Sequence, residues 1–496
     1  MMKKLHPIMF VGTGSDVGKS IVNAGFCRVF KQDGYTPAPF KAQNMSLNSF
    51  ATPDGLEIGR AQAVQAEASK VDPQTDMNPV LLKPSGDMCS QVVLNGKPVG
   101  NRSAYDYFRA KGKDSLFHEV TSAFDRLETQ YNPIVMEGAG SISEINLRER
   151  DIVNMRMAIH ADAVTYLVAD IDRGGVFASV YGSLELLTPE ERKQVKGIII
   201  NKFRGDIRLF EDGKTIIEDL CKVPVVGILP YFKDIYIEDE DSVALEKRES
   251  WAGSHDTVNI AVVLLRHMSN FTDFNVLERD PRVHLFYTHN TDELNKADIV
   301  IVPGSKNTIE DLLYLRKSGV GGAILRAAQN GKTVIGICGG YQILGKEIRD
   351  PKHNEGDISM LPGLGLLPII TTIEDEKVTK QSEFTFMGKY TACKGYEIHM
   401  GESEVCDGFA SPLNIFDSGK TDGYLLNDKC WGTYMHGILD NQVVIDQLLK
   451  PYTDIVLTKN YDHQAFKEEQ YERLAQWIRE NVDMELVYDQ LGGCTI

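Results

Sequence analysis

"PIMFVGTGSDVGKS", residues 7–20, reads as a short apolar strand, a glycine-rich turn and the start of a helix. Gly18, Lys19 and Ser20 match the end of a phosphate-binding loop. The strict form, G-x-x-x-x-G-K-[ST], needs glycine at 13, where this chain has Thr13; its glycines fall at 12 and 14, a spaced variant. The physics survives the change. N–H groups at a helix start cradle phosphates, Lys19 neutralises β/γ charge, and the Ser20 hydroxyl can ligate Mg²⁺. Thr13, Gly14, Gly18, Lys19 and Ser20 are therefore the candidate ATP- and Mg²⁺-binding residues. The bland alternative is a glycine-rich turn with an exposed lysine, which its place behind an N-terminal strand disfavours.

Outward from that loop, "NPIVMEG" (132–138), "AVTYLVAD" (163–170), "GIIINKF" (197–203) and "VPVVGILP" (223–230) are further apolar runs suited to strands buried on both faces. Helical periodicity lies between them, as in "IGRAQAVQAEASK" (58–70). That alternation predicts a doubly wound α/β domain with a parallel sheet, whose ligands gather at the C-terminal strand ends. Glu137 ends one strand there and is a candidate Mg²⁺ ligand beside Ser20; alone, it is equally a surface glutamate before a turn. Asp170 and Asp172 sit similarly, and either can simply cap the next helix. "PFKAQNMSLNS" (39–49) is either a solvated loop or a polar ligand site, in which Lys41 can hold a carboxylate or a transferred phosphoryl group.

The 496 residues suit two or three domains. A net charge of −17 argues against nucleic acid and an anionic membrane surface, and leaves room for a small anionic ligand in a local basic pocket. The eight cysteines are scattered without a CxxC pair, which fits reduced cytosolic thiols better than a disulfide or zinc framework. No tightly bound metal is expected. The N-terminus lacks a signal-peptide apolar region and no run of eighteen apolar residues occurs, so a cytoplasmic location is predicted.

Composition shifts at 236–256, a charged, weakly patterned stretch read as a linker between domains 1–235 and 257–450. The second domain repeats the strand-then-turn series in "VNIAVVLL" (258–265), "ADIVIVPGS" (297–305) and "KTVIGICGG" (332–340). Residues 451–496 form a helical extension expected to pack on that second domain. In "TVIGICGGYQILG" (333–345) a strand ends on Cys338, crowded by glycines, and a helix follows: the shape of a nucleophile elbow. A helix start favours the thiolate, and Gly339 N–H can point at an oxyanion. Gly304 and Ser305, in "VIVPGSKNT", offer a second backbone donor; the alternative is a helix-start turn capped by Ser305 or Asn307. For a base, His436 follows an apolar run about a hundred residues on; His399 is the rival, more structural or substrate-facing in context.

The strand–GxCxGG–helix, the upstream PGS loop and the downstream "GTYMHG" resemble a triad-type class I glutamine amidotransferase domain. The front half resembles a dethiobiotin-synthetase-like ATP-dependent ligase. Joined in this order, with "PFKAQNMSLNS", "MNPVLLKP", "EINLRERDIVNM", "SNFTDF" and "GYEIHMG" in sequence, they resemble the cobyric acid synthase family over nearly the whole chain. The resemblance implies that glutamine is hydrolysed at Cys338 with His436 as base, and that ammonia passes to the front domain. There ATP and Mg²⁺ activate carboxylates of a corrinoid as acyl phosphates. It implies four amidations (b, d, e, g) of adenosylcobyrinic acid a,c-diamide, with Lys41, Asn44 and Arg60 as candidate contacts for this polyanion. Many class I amidotransferases carry a glutamate two residues after the histidine; this chain has Ile438, which leaves open whether a backbone carbonyl or a carboxylate elsewhere orients His436. Rival readings are a cobyrinic acid a,c-diamide synthase and, from another class, a P-loop switch ATPase with a non-catalytic binding domain. An oligomer is compatible with all of them.

Overall fold

The computed structural model describes residues 3–86, 89–103, 113–232, 234–238, 257–455 and 463–492. Strands β1 (Ile8–Gly12), β2 (Ala38–Phe40), β3 (Ile134–Glu137), β4 (Val164–Asp170), β5 (Val195–Phe203) and β6 (Val225–Pro230) form one sheet, ordered β6-β5-β4-β1-β3-β2. Every pairing in it is parallel. Side-chain alternation splits β1 between two cores: Ile8 and Phe10 point to one face, Met9 and Val11 to the other. Helices α1 (Lys19–Gln32) and α2 (Arg60–Ser69) follow, as the sequence leads one to expect.

The rear domain holds β7 (Val258–Val263), β8 (Val283–Thr288), β9 (Ile299–Val302), β10 (Thr333–Ile337), β11 (Tyr424–Asn427) and β12 (Cys430–Thr433), ordered β8-β7-β9-β10-β12-β11. Neighbours are parallel except β11 against β12. A short helix, α3 (Gly339–Leu344), leaves β10. The second α/β domain is thus as expected.

Two β structures escape the sequence reading. Gln43–Met45, Val80–Gly86, Cys89–Leu94 and Lys97–Ser103 make a small sheet on the front domain. Ile369–Phe386 pairs antiparallel with Tyr390–Val405 in a long hairpin, which also pairs with Met435–His436. Long, half-exposed strands of mixed charge carry little of the apolar signal that marks a buried parallel strand.

The C-terminal helices require a correction: they pack on the front domain, not the rear one. Helix α4 (His463–Asn481) lies against α1, and its Leu474 and Ile478 share a core with Phe26 and Phe30. Contact is close because α1 offers a glycine; a Cβ on Gly25 would come 2.6 Å from Ile478 Cγ1. Arg28, its side chain fully buried, meets Glu468 and Glu472, each at 2.9 Å. Further along, Asp483 N donates to Val226 O (2.8 Å) and His6 N to Leu491 O (3.0 Å). Of the expected linker, residues 239–256 lie outside the described residues. Its described start is tied down: Tyr236 N donates to Gln470 Oε1 at 3.1 Å.

An Ile478→Ala substitution is expected to cost about 2–5 kcal/mol in denaturant unfolding, the range for deleting a buried aliphatic side chain. A loss below about 0.5 kcal/mol, typical of surface changes, would mean that α4 is peripheral to the front core.

Candidate active site

Between β1 and α1 the phosphate loop crosses the C-terminal edge of the front sheet. Its glycines have steric reasons. A Cβ on Gly12 would sit 2.9 Å from Lys19 Nζ, and one on Gly18, whose φ is +97°, only 2.1 Å from Asn201 Nδ2. Lys19 Nζ donates to the carbonyls of Gly14 (2.9 Å) and Gly140 (3.0 Å), which hold the ammonium at the loop. Thr13 bridges to Ser141 across the same edge. Ser20 Oγ donates to Glu137 Oε1 at 2.8 Å, Lys41 Nζ donates to the same oxygen at 3.0 Å, and Gln65 Nε2 donates to Oε2 at 2.6 Å. Ser20, Lys41 and Glu137, drawn from three separate stretches, therefore meet at one buried carboxylate. A hydroxyl and a carboxylate at a phosphate loop are the hard oxygen donors that suit Mg²⁺.

Other front-domain candidates are not part of this cluster. Asp170 accepts from Asp172 N (2.8 Å) and pairs with Lys202 (2.9 Å), while Asp172 pairs with Arg204 (2.7 Å). Neither caps the following helix, whose N-cap is Gly175. Asn44 is buried and donates to Gln62 Oε1 at 3.1 Å. Arg60 departs furthest from expectation. Its guanidinium is buried and engages Glu238 through two hydrogen bonds, of 2.5 and 2.9 Å. A buried cation must find a counter-charge, and this one has found it inside the protein rather than at an open substrate surface.

In the rear domain Cys338 ends β10 and caps α3 with φ 52° and ψ −109°, a strained backbone for a residue with a side chain. The glycines around it are needed. A Cβ on Gly336 would lie 2.6 Å from Gly340 O, one on Gly340 1.8 Å from Val302 O, and one on Gly339 2.7 Å from Ser305 N. The two expected oxyanion-donor segments, at Gly339 and Ser305, are thus pressed together beside the thiol. Gly304 approaches the histidine, a Cβ there falling 3.3 Å from His436 Cε1. Asn307 caps the next helix by accepting from Glu310 N (3.1 Å). The Cys338 thiol donates to Ile398 O at 3.6 Å.

His436 is fully buried, and Asp273 is its partner. Nδ1 lies 2.7 Å from Asp273 Oδ2, and Asp273 Oδ1 accepts from Gly437 N at 3.0 Å. Nε2 lies 3.2 Å from Asn270 Nδ2, and the ring stacks on Tyr396 with centroids 5.4 Å apart. Burial disfavours the charged ring, but Asp273 and Cys338 outweigh it and hold the imidazole up at about 10. The orienting group missing at Ile438 is therefore a carboxylate from far upstream. Sequence reasoning singled out "SNFTDF" without giving Asp273 a role. The signal available was an acidic residue inside an aromatic stretch. His399, the rival base, donates from Nδ1 to Gly401 O (2.8 Å) and stacks on Tyr434 at 3.8 Å.

Both domains line the pocket in front of Cys338: Lys83 comes from the front, Lys306, Glu355 and Lys377 from the rear. Lys83 Nζ donates to Glu57 Oε1 (2.8 Å) and Ser49 Oγ (2.9 Å), and Lys377 Nζ donates to Glu57 Oε2 (2.5 Å). Burial of Glu57 opposes its charge, yet the two lysines outweigh it and hold the carboxyl far below the usual range. Burial, with Lys83 and Lys306 nearby, in turn pushes Lys377 down to about 7. Further bonds cross the interface. Ser49 N donates to Asn270 Oδ1 at 2.9 Å and Phe271 N to Asn48 Oδ1 at 3.2 Å.

Residues 8–243 match the CobQ/CobB/MinD/ParA nucleotide binding domain, and residues 259–444 the CobB/CobQ-like glutamine amidotransferase domain. A cobyric acid synthase of Bacteroides fragilis is 64% identical over 99% of both chains, and one of Phocaeicola vulgatus 62% identical over 99% of this chain and 100% of its own. A solved glutamine amidotransferase is 16% identical, covering 39% of this chain and 95% of its own at a TM-score of 0.29. Among the described residues no helix is long and apolar enough to cross a membrane.

Asp273→Asn is expected to lower the rate of glutamate release from glutamine roughly 100-fold or more, the scale of a lost acid–base arrangement, with the KM for glutamine nearly unchanged. Steady-state glutaminase kinetics check it; a variant with wild-type kcat would remove Asp273 from the site.

Proposed function

The chain belongs to the cobyric acid synthase family, and from that premise we propose that it makes four amides on a corrinoid a,c-diamide, taking ammonia from glutamine and driving each step with ATP. It is an enzyme, a ligase of the amidotransferase type, in cobalamin biosynthesis. The observation that carries the finer reading is the pairing, in one chain, of a buried Cys338–His436–Asp273 arrangement with a phosphate loop whose Ser20 and Lys41 converge on Glu137.

In the rear domain His436 takes the Cys338 proton, and the thiolate attacks the side-chain carbonyl of glutamine. Backbone N–H groups near Gly339 and Ser305 are the candidate donors to the resulting oxyanion. Collapse with a proton from His436 releases ammonia and leaves a thioester; water then hydrolyses it to glutamate and restores the thiol. In the front domain a corrinoid carboxylate attacks the γ-phosphorus of ATP, giving an acyl phosphate and ADP. Ammonia displaces phosphate from the acyl carbon and the amide forms. Lys19 stabilises the phosphate charge, and Lys41 stands where a transferred phosphoryl group or a carboxylate would need a cation. Ser20 and Glu137 would hold Mg²⁺, which when bound neutralises phosphate charge. Of the candidate substrate contacts, Lys41 meets Glu137 at the phosphate edge, while Asn44 donates to Gln62 and Arg60 pairs with Glu238.

Cys338→Ser is expected to abolish glutamine-dependent amidation and to leave amidation from added ammonia intact; retained use of glutamine would remove Cys338 from its role. Lys19→Ala should stop ATP-dependent product formation while glutamate release persists, and an unchanged product yield would refute the phosphate-loop assignment. Mass spectrometry of a corrinoid a,c-diamide incubated with protein, ATP, Mg²⁺ and glutamine should show four successive carboxyl-to-amide changes. No change with that substrate, and two with the unamidated acid, would favour the a,c-diamide synthase reading instead.

A further inference from the structure

The two ring nitrogens of His436 face different partners. Asp273 Oδ2, 2.7 Å from Nδ1, is a carboxylate oxygen, so Nδ1 carries the proton between them. Asn270 Nδ2 stands 3.2 Å from Nε2. Which end of that amide faces the ring is fixed from its far side. The backbone N–H of Ser49 points at the other end from 2.9 Å, and an N–H can be met only by the oxygen. The nitrogen is therefore the atom at Nε2, and a donor there favours the form of the ring in which Nε2 is unprotonated.

The other charged groups pull the opposite way. Asp273 favours the imidazolium, as does a thiolate at Cys338. Asp440 lies one turn beyond, its Oδ2 3.4 Å from where a Cβ on Gly437 would be. Glu397 follows Tyr396 on the strand paired with His436, and is itself occupied by Lys380 at 2.7 Å. An imidazolium has no lone pair to take the thiol proton. Asn270 is the polar group that opposes it at the nitrogen facing the chemistry.

We propose that Asn270 is a positioning residue for glutamine hydrolysis: its amide, oriented by the front-domain Ser49 N–H, opposes protonation of His436 Nε2 and so raises the fraction of the ring available as the base for Cys338. The backbone suits the assignment. Asn270 is left-handed at φ 51° and ψ 42°, a region asparagine enters more readily than most residues, and the next N–H is tied to Asn48 Oδ1. The front domain thus fixes both the amide and the turn that carries Asp273. This inference rests on Cys338 and His436 being the glutaminase pair.

The test measures glutamate release at saturating glutamine, from about pH 6 to about pH 10, for wild type, Asn270→Gly and Asn270→Asp, with Cys338→Ser in parallel. Glycine keeps the left-handed backbone and removes the amide. Its rate at neutral pH should fall about tenfold, with the acid limb of kcat moved up by about one pH unit, the equivalent shift in protonation. The KM for glutamine should stay within about twofold. Asn270→Asp, which places an acceptor at Nε2, should move the limb further the same way. Amidation from added ammonia reports that the variants are folded. An unmoved acid limb in both variants overturns the proposal, as does a rise in glutamate release with glycine, which would make Asn270 a latch on the base. Loss of ammonia-dependent amidation without a moved limb overturns it too, in favour of a structural role. Glutamate release by Cys338→Ser would instead bring down the underlying pair.

Discussion

A carboxylate with no exposed surface, Glu57, lies between Lys83 of its own domain and Lys377 of the other, and the joining of the two halves depends on it. A buried charge is tolerated only with its partners in place; removing one of them typically costs about 3–5 kcal/mol. Separating the domains would take Lys377 from Glu57 and expose polar groups now matched across the seam. Docking is in this sense a condition of the folded state. Because the halves are docked, Asn48 and Ser49 land on the turn at 270–274, and that turn holds His436 from both ring nitrogens.

One short stretch consequently touches both sites. Lys41 reaches Glu137 beside the phosphate loop, and Asn48 and Ser49, a few residues on, reach Asn270 and Phe271 beside the glutaminase pair. Between them Asn78 anchors the segment by donating to Lys41 O (3.1 Å), and Ser46 N donates to Leu82 O (3.0 Å). The polar composition of "KAQNMSLNS" makes sense on these terms. Its side chains and amides make buried hydrogen bonds at both candidate sites, which a solvated loop would not require.

Features legible in the sequence are those fixed by neighbours along the chain. A strand buried on both faces is a run of apolar residues; a phosphate loop and a nucleophile elbow are glycine patterns a few residues long. Cys338, Lys19 and Ser20 could be read on that basis, and Glu137 from its place at a strand end. Asp273 could not, because its meeting with His436 joins residues 163 apart through a 3₁₀ turn that has no period. The Glu57–Lys377 contact spans 320 residues and is equally silent. The pairing of Arg60 with Glu238 was not legible either, because the sequence shows a cation but not its counter-charge 178 residues away. In α4 the amphipathic pattern says that a face is covered without saying by what; Gly25 on α1, small where a helix must approach, is visible only once both helices are known.

The placement of α4 also sets an order of assembly. A ribosome makes the six front strands first, yet the part of the front core that Leu474 and Ile478 complete has no cover until residues 463–481 emerge. By then the whole rear domain has been synthesised. The half made first is therefore the half finished last, holding an open apolar face through the synthesis of everything between, while the rear domain can close on its own residues. A break anywhere along the chain before α4 leaves the phosphate-binding half incomplete, so only full-length molecules complete the domain that would consume ATP.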